Sequence, residues 1–199
     1  MKERFINSSL FLINKYNNYT EEEIDNMRYG LEGIYLTLGK TIIILLLAFV
    51  LDIMKEVVLL IVLFNIIRYT GFGFHAEKSS TCLYITLIEF IAFPYIIMKV
   101  NIPNYIYYIL ILCCIIMYFL YAPADTIKRP LLNRRKRIIR KILTITIGII
   151  YTIGIVLISN VSIKKILLLS MILEAIFISP FIYKLFKQPY RNYLTYSDV

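Results

Sequence analysis

Apolar residues occur along this chain in long, nearly unbroken runs. Ile, Leu, Val, Phe, Tyr and Met dominate residues 34–51, 57–69, 82–100, 102–121, 138–159 and 163–186, with single polar residues set among them. Runs of this length match a hydrocarbon layer about 30 Å thick, which about 20 helical residues cross. No water is present there to bond the backbone, so a spanning segment must be a helix or part of a closed barrel. The runs lack the period-two alternation of barrel strands. The pattern therefore predicts an all-α, polytopic membrane bundle of about six transmembrane helices, forming a single integral membrane domain over residues 1–199.

The segments between the runs refine this reading. Residues 2–16 mix Lys2, Glu3, Arg4 and Lys15 with Phe5, Ile6, Leu10, Phe11, Leu12 and Ile13, which suits an N-terminal helix lying in the membrane interface, with a short unpacked arm as the alternative. Without an uninterrupted apolar core, this stretch is not expected to be a cleaved signal peptide. Thr20 and Glu23 have the spacing of a capping box, so a helix is predicted to start there, pass Arg28 and Glu32 in water and enter the membrane near Ile34. The second run covers only thirteen residues and leads into Gly71-Phe72-Gly73-Phe74, a partly sunken loop. Spans three and four, joined by Asn101-Ile102-Pro103-Asn104, are expected to form a tight helical hairpin.

Charge adds orientation. With 59% hydrophobic and only 18% charged residues the chain is far from a soluble domain, yet its net charge is +9. No nucleic-acid motif accompanies that excess, so it reads as loop charge facing anionic lipid, or as a surface for an acidic peptide. Lys128, Arg129, Arg134, Arg135, Lys136, Arg137, Arg140 and Lys141 cluster between spans four and five, and the positive-inside rule places that loop in the cytoplasm. Counting crossings from there puts both termini, and the loop holding Arg68, His75, Lys78 and Cys82, on the same side. Lys55, Lys99, Lys164 and Lys165 remain for the opposite side.

That second loop holds the chain's single histidine. One histidine and three cysteines without metal-ligand spacing give no metal site and no disulfide framework, and no cofactor is expected. A thiol nucleophile needs a base within about 3 Å, and seven residues of unbroken helix would separate His75 from Cys82 by about 10 Å along the axis. The helix must therefore break between them. The upstream glycines permit this, and Ser79 or Ser80 can cap span three, leaving Cys82 in its first turn with His75 folded back over it. A helix N-terminus, an imidazolium and the cations Arg68 and Lys78 would all favour the thiolate. The plain packing alternative makes Cys82 a small apolar filler and His75 an interfacial polar tip. Cys113 and Cys114, in mid-span, read as inert lipid-facing or packing residues. Glu89, Glu174, Lys40 and Asn65 are costly in hydrocarbon and should face the bundle interior or water. Glu89 lies two turns deeper than Cys82 on its face, where it could line a polar pocket or join helices together.

Tyr29-Gly30-Leu31-Glu32 before span one, Arg68 with Gly71, Gly73, His75 and Cys82, and the Tyr121-Ala-Pro-Ala-Asp125 to Arg129-Pro130 loop occur in an order and at distances that resemble the accessory gene regulator protein B (AgrB) family. These are bacterial membrane endopeptidases of peptide quorum sensing. The resemblance covers nearly the whole chain, and its specific part is the His-x6-Cys element after a glycine turn. Family members often carry paired glycines before the histidine, where this chain has Gly71-Phe72-Gly73. The resemblance implies a cysteine endopeptidase of the bacterial cell membrane acting on an AgrD-like precursor. Cys82 would attack a peptide carbonyl and His75 would take the thiol proton and pass it to the departing amine. The resulting thioester would be attacked by a cysteine or serine of the precursor, releasing a thiolactone or lactone. The resemblance also implies a homodimer. Arg68, Gly73, Lys128 and Arg129 are candidate contacts for the acidic substrate tail, and Glu32 is a candidate partner for one of these cations. Glu77 and Asp125 are the nearest candidates to orient the imidazole. A membrane thiol acyltransferase, a peptide exporter without proteolytic activity and a purely structural membrane protein are the competing readings.

Overall fold

A computed structural model describes residues 2–14, 19–76, 79–126 and 130–196, and all regular elements among them are helical. The chain folds as two units, Met1–Leu47 and Ala48–Val199. The first holds α1 (Lys2–Asn14) and most of α2 (Glu21–Val50). The predicted capping box is formed: the Thr20 amide donates to Glu23 at 2.9 Å and the Glu23 amide to the Thr20 hydroxyl at 3.3 Å. This satisfies donors that a helix start otherwise leaves open. Phe5 of α1 meets Tyr35 of α2 with ring centroids 5.5 Å apart, and the Lys2 ammonium donates to Glu32 at 2.5 Å. That hydrogen bond holds the Lys2 ammonium above its ordinary range.

The second unit is organised by α8 (Val161–Ile178), apolar on almost every face and buried on most of them. A helix apolar all round finds its place at the centre of a bundle. Against it pack α3 (Met54–Gly71), α6 (Asn104–Tyr121), α7 (Arg134–Leu157) and α5 (Phe93–Lys99). α6 buries Tyr107, Ile111, Cys114 and Tyr118, and α7 buries Thr144, Gly148, Tyr151 and Ile155, each set a stripe repeating every three or four residues. Buried hydroxyls find partners across the helices: Tyr118 donates to the Met171 carbonyl at 2.7 Å, Tyr151 to that of Leu63 at 2.8 Å, and Thr144 to the Thr70 hydroxyl at 3.0 Å. Cys114 is buried and Cys113 exposed, the two environments anticipated for the mid-span thiols.

Among the described residues, four helices are long and apolar enough to cross a membrane: Glu21–Val50, Ser80–Lys99, Asn104–Tyr121 and Arg134–Leu157. The chain is a helical membrane protein. The other two predicted spans correspond to α3 and α8, of 18 residues each, which carry three charged residues apiece (Lys55, Glu56 and Arg68; Lys164, Lys165 and Glu174).

Some elements differ from expectation. The third span is not a uniform α-helix: α4 (Ser79–Leu87) passes through a π turn (Ile88–Ala92) into α5. The Phe93 amide bonds the Ile88 carbonyl, and Pro94, with no N–H to give, follows at once. Because α4 already includes Ser79, Ser80 cannot be its cap. Spans three and four do not form a tight hairpin; α5 and α6 each pack chiefly on α8, whose apolar circumference offers both a surface. The last predicted span breaks at Ser179-Pro180, where the Ser179 hydroxyl accepts from the Ile182 amide and opens α9 (Pro180–Leu185). Asn65 does not face the interior: it is exposed, and its amide bonds the Ile61 carbonyl of its own helix at 2.7 Å.

Candidate functional site

The segment after α3 folds back through a set of backbone hydrogen bonds. Phe72 donates to the Arg68 carbonyl at 2.9 Å, Gly73 to Ala124 at 2.7 Å and Phe74 to Phe177 at 2.9 Å, while Ala124 returns a bond to the Gly71 carbonyl at 3.0 Å. The turn is thereby fixed to α3, to the loop after α6 and to the end of α8. Gly73 has φ +99°, and a Cβ there would stand 2.7 Å from the Phe177 carbonyl oxygen and against the Arg68 guanidinium, so only glycine fits. At Gly71 an added Cβ would meet the Glu174 carboxylate, so any larger residue there must displace that side chain. Phe72, at φ 60° and ψ −121°, adopts the backbone of the first central residue of a type II′ turn, a conformation glycine dominates. Its ring lies 4.1 Å from the Arg140 guanidinium, and Arg140 also donates to the Tyr69 carbonyl at 2.7 Å. Phe74 is 2% exposed and stacks on Phe177 and Phe186, with Tyr183 edge-on.

Arg68 is the hub of this arrangement. Its side chain, drawn inward to 13% exposure, stands 3.6 Å from the wholly buried Glu174 carboxylate, donates to the Phe74 carbonyl and covers the Phe177 ring at 4.8 Å. Glu89, on the π turn, is 6% exposed and within electrostatic reach of Arg68 and Glu174. Of these two carboxyl groups, Glu174 is the one ion-paired with the guanidinium. Arg68 Nη1, Glu89 Oε1 and both Glu174 oxygens lack a hydrogen-bond partner among the described residues, so the cluster retains unused polar capacity.

Two residues beyond Gly73 stands His75, exposed, its carbonyl accepting from the Gln188 side chain at 3.1 Å. Cys82, half-buried, is the fourth residue of α4, and its carbonyl accepts from the Thr86 hydroxyl at 2.6 Å. That hydroxyl lies 4.0 Å from the Cys82 sulfur. Glu77, Lys78, Lys128 and Arg129 lie outside the described residues, as does the Ser79 side chain. Glu32 sits in the first unit with Lys2 as its cation, whereas Arg68 has Glu174.

The loop after α6 contributes Asp125, one of the two candidates to orient the imidazole, whose partners are backbone amides. Asp125 is 1% exposed, and its two oxygens accept from the amides of Asn192 at 2.9 Å, Tyr193 at 2.8 Å and Leu131 at 3.4 Å. Its own carbonyl accepts from the Tyr183 phenol at 2.9 Å. Asp125 therefore clamps the C-terminal segment to the same end of the second unit as the glycine turn. Its place in a polar loop was visible in sequence; its backbone partners Asn192 and Tyr193, 67 and 68 residues away, were not.

The model of the accessory gene regulator B family matches residues 7–178. A putative AgrB-like protein of Clostridium acetobutylicum is 27% identical over 93% of this chain and 88% of its own length. One of Listeria innocua is 32% identical over 89% and 87%, and the accessory gene regulator protein B of Staphylococcus epidermidis is 29% identical over 84% and 86%. No solved structure is significantly similar to this chain.

Proposed function

Because the chain belongs to the accessory gene regulator B family, we propose that it is a cysteine endopeptidase of quorum sensing that cleaves an AgrD-like peptide precursor, with Cys82 as nucleophile and His75 as general base and acid. The observation that carries this reading is the glycine turn. A chain with a single histidine places it just past a turn anchored on three sides, seven residues before a half-buried cysteine in the opening turns of a helix. A rigid mount for the base, with both groups on neighbouring segments, suits a proton transfer that needs heavy atoms about 3 Å apart.

In the proposed reaction the Cys82 thiol loses its proton to His75 and its sulfur attacks the carbonyl of the scissile bond. The C–N bond breaks as His75 returns the proton to the leaving amine, and the peptide is held as a thioester. A cysteine or serine side chain of the precursor then gives its proton to His75 and attacks the thioester carbonyl; the C–S bond to Cys82 breaks, His75 returns the proton to the Cys82 sulfur, and a thiolactone or lactone closes. Arg68 acts here as a positioning residue, through the Phe74 carbonyl and the turn below His75. Lys128 and Arg129 are assigned to the acidic tail of the precursor, and the site to the cytoplasmic face of the bacterial membrane, where the basic loop places it.

The test uses the purified full-length protein in liposomes with a precursor peptide, reading product masses. Wild type should release the tail, whereas Cys82→Ala and His75→Ala should not. Tail release by Cys82→Ala at the wild-type rate refutes the assignment and favours an exporter without proteolytic activity.

A further inference from the structure

The end of the second unit that carries the glycine turn also contains a cavity of about 170 Å³ that the proposed reaction does not use. It opens between the last turn of α6 (Leu120, Tyr121), the first turns of α7 (Arg137, Ile138, Lys141) and the C-terminal segment (Tyr190, Arg191, Tyr193). Its lining holds three cations and no carboxylate. Arg137 donates to the Leu131 and Leu132 carbonyls at 2.7 and 2.8 Å and stacks on Tyr193 at 4.1 Å. Lys141 lies 4.7 Å from the Phe119 ring and Arg191 5.5 Å from that of Tyr190. Among the described residues none of the three forms an ion pair with a carboxylate. Asp125, which pins this segment, is turned instead to the amides of Asn192 and Tyr193.

We propose that this notch holds the phosphate headgroup of one anionic phospholipid. The charge calls for an anion, and three observations select a lipid. The notch lies at the ends of two helices long and apolar enough to cross a membrane, the depth at which headgroups sit. Its rim continues into exposed apolar side chains, Phe119, Leu120, Ile138 and Ile142, along which acyl chains can run. Its volume is below the roughly 300 Å³ at which drug-sized ligand pockets begin, enough for a headgroup but not for several residues of peptide. Basic pockets between transmembrane helices bind anionic headgroups in this way, and tyrosines at the same level are usual interfacial anchors. The bound headgroup ties α6 and α7 to the C-terminal segment.

The experiment is native mass spectrometry of the full-length protein released from phosphatidylcholine nanodiscs containing phosphatidylglycerol, comparing wild type with Lys141→Gln/Arg191→Gln. Wild type should retain one phosphatidylglycerol in preference to phosphatidylcholine, and the double variant should bind it at least tenfold more weakly, while Lys141→Arg/Arg191→Lys binds as wild type. A second measurement needs no variant: acetylation of Lys141 should slow at least tenfold when phosphatidylglycerol is present, more than that of exposed Lys184. Equal retention by the double variant, or equal protection of Lys141 and Lys184, overturns the proposal. So does a glutamate-rich peptide that displaces the lipid and binds through the same cations more tightly. None of these readouts depends on proteolysis.

Discussion

Arg68 and Glu174 stand 3.6 Å apart in the interior of the second unit, joining α3 to α8 at the foot of the turn that leads to His75. The guanidinium serves two structures at once, since its other nitrogen donates to the Phe74 carbonyl. A planar fork can do this and a point charge cannot, which is why lysine is not an equivalent here.

Glu174→Gln should leave the Arg68 charge buried and without its counter-charge. Loss of one member of a buried pair costs on the order of 3 kcal/mol, visible as a lower unfolding temperature in detergent. Arg68→Met/Glu174→Leu should recover most of that stability, because neither member of the pair is left without the other. Precursor cleavage should not recover with it, since the Phe74 carbonyl has lost its donor. A double variant both stable and fully active would show that Arg68 does not position the turn.

Gly73→Ala tests the same turn from the backbone. The substitution places a methyl group 2.7 Å from the Phe177 carbonyl oxygen at a residue with φ +99°, a conformation that costs a non-glycine residue about 1–3 kcal/mol. The turn must shift, and His75, two residues on, shifts with it. Displacing a catalytic group by about 1 Å can cost about 100-fold in rate. Cleavage should fall on that scale while the protein still inserts in the membrane, as read by its yield and gel-filtration profile.

Phe72 separates strain from stacking. Phe72→Gly relieves the II′ backbone but removes the ring lying against Arg140, so the two effects oppose each other and the unfolding temperature should change little. Phe72→Ala keeps the strain and loses the ring, and should be the less stable variant by about 1 kcal/mol. The reverse order would mean that the Phe72 backbone carries no strain for glycine to relieve.

The legible parts of this molecule were those set by local rules. Periodicity and run length announced the membrane helices, and the Thr20–Glu23 pair announced the start of α2, because capping is decided within one turn. The glycine turn before His75 was also local, since Gly71 and Gly73 permit a helix to break there. Pairings across the fold were not readable. Glu174 appeared as a costly intramembrane carboxylate, and only the approach of α3 to α8 gives it Arg68. The π turn at Glu89 could be suspected from Pro94 but not placed, and the break at Ser179-Pro180 lay inside a run whose apolar pattern continues on both sides.

Asp125 provides the last test, because its carboxylate takes over backbone donors that no helix satisfies. Asp125→Ala removes the acceptor from the amides of Asn192, Tyr193 and Leu131 at once, leaving the Asn192 donor buried, which costs about 1–3 kcal/mol when unpaired, and the other two half-buried. The C-terminal segment should then detach before the helices do, since it keeps side-chain contacts such as Tyr190 on Tyr183 but loses its buried carboxylate anchor. Limited trypsin digestion should cut at Lys187 or Arg191 at least tenfold faster than in wild type, with fragments read by mass, while the helical circular dichroism is unchanged. Asp125→Asn keeps one oxygen acceptor and should fall between the two. Equal digestion of all three proteins would show that the segment is held by its aromatic contacts, Tyr190 against Tyr183 and Tyr193 against Arg137, and not by this carboxylate.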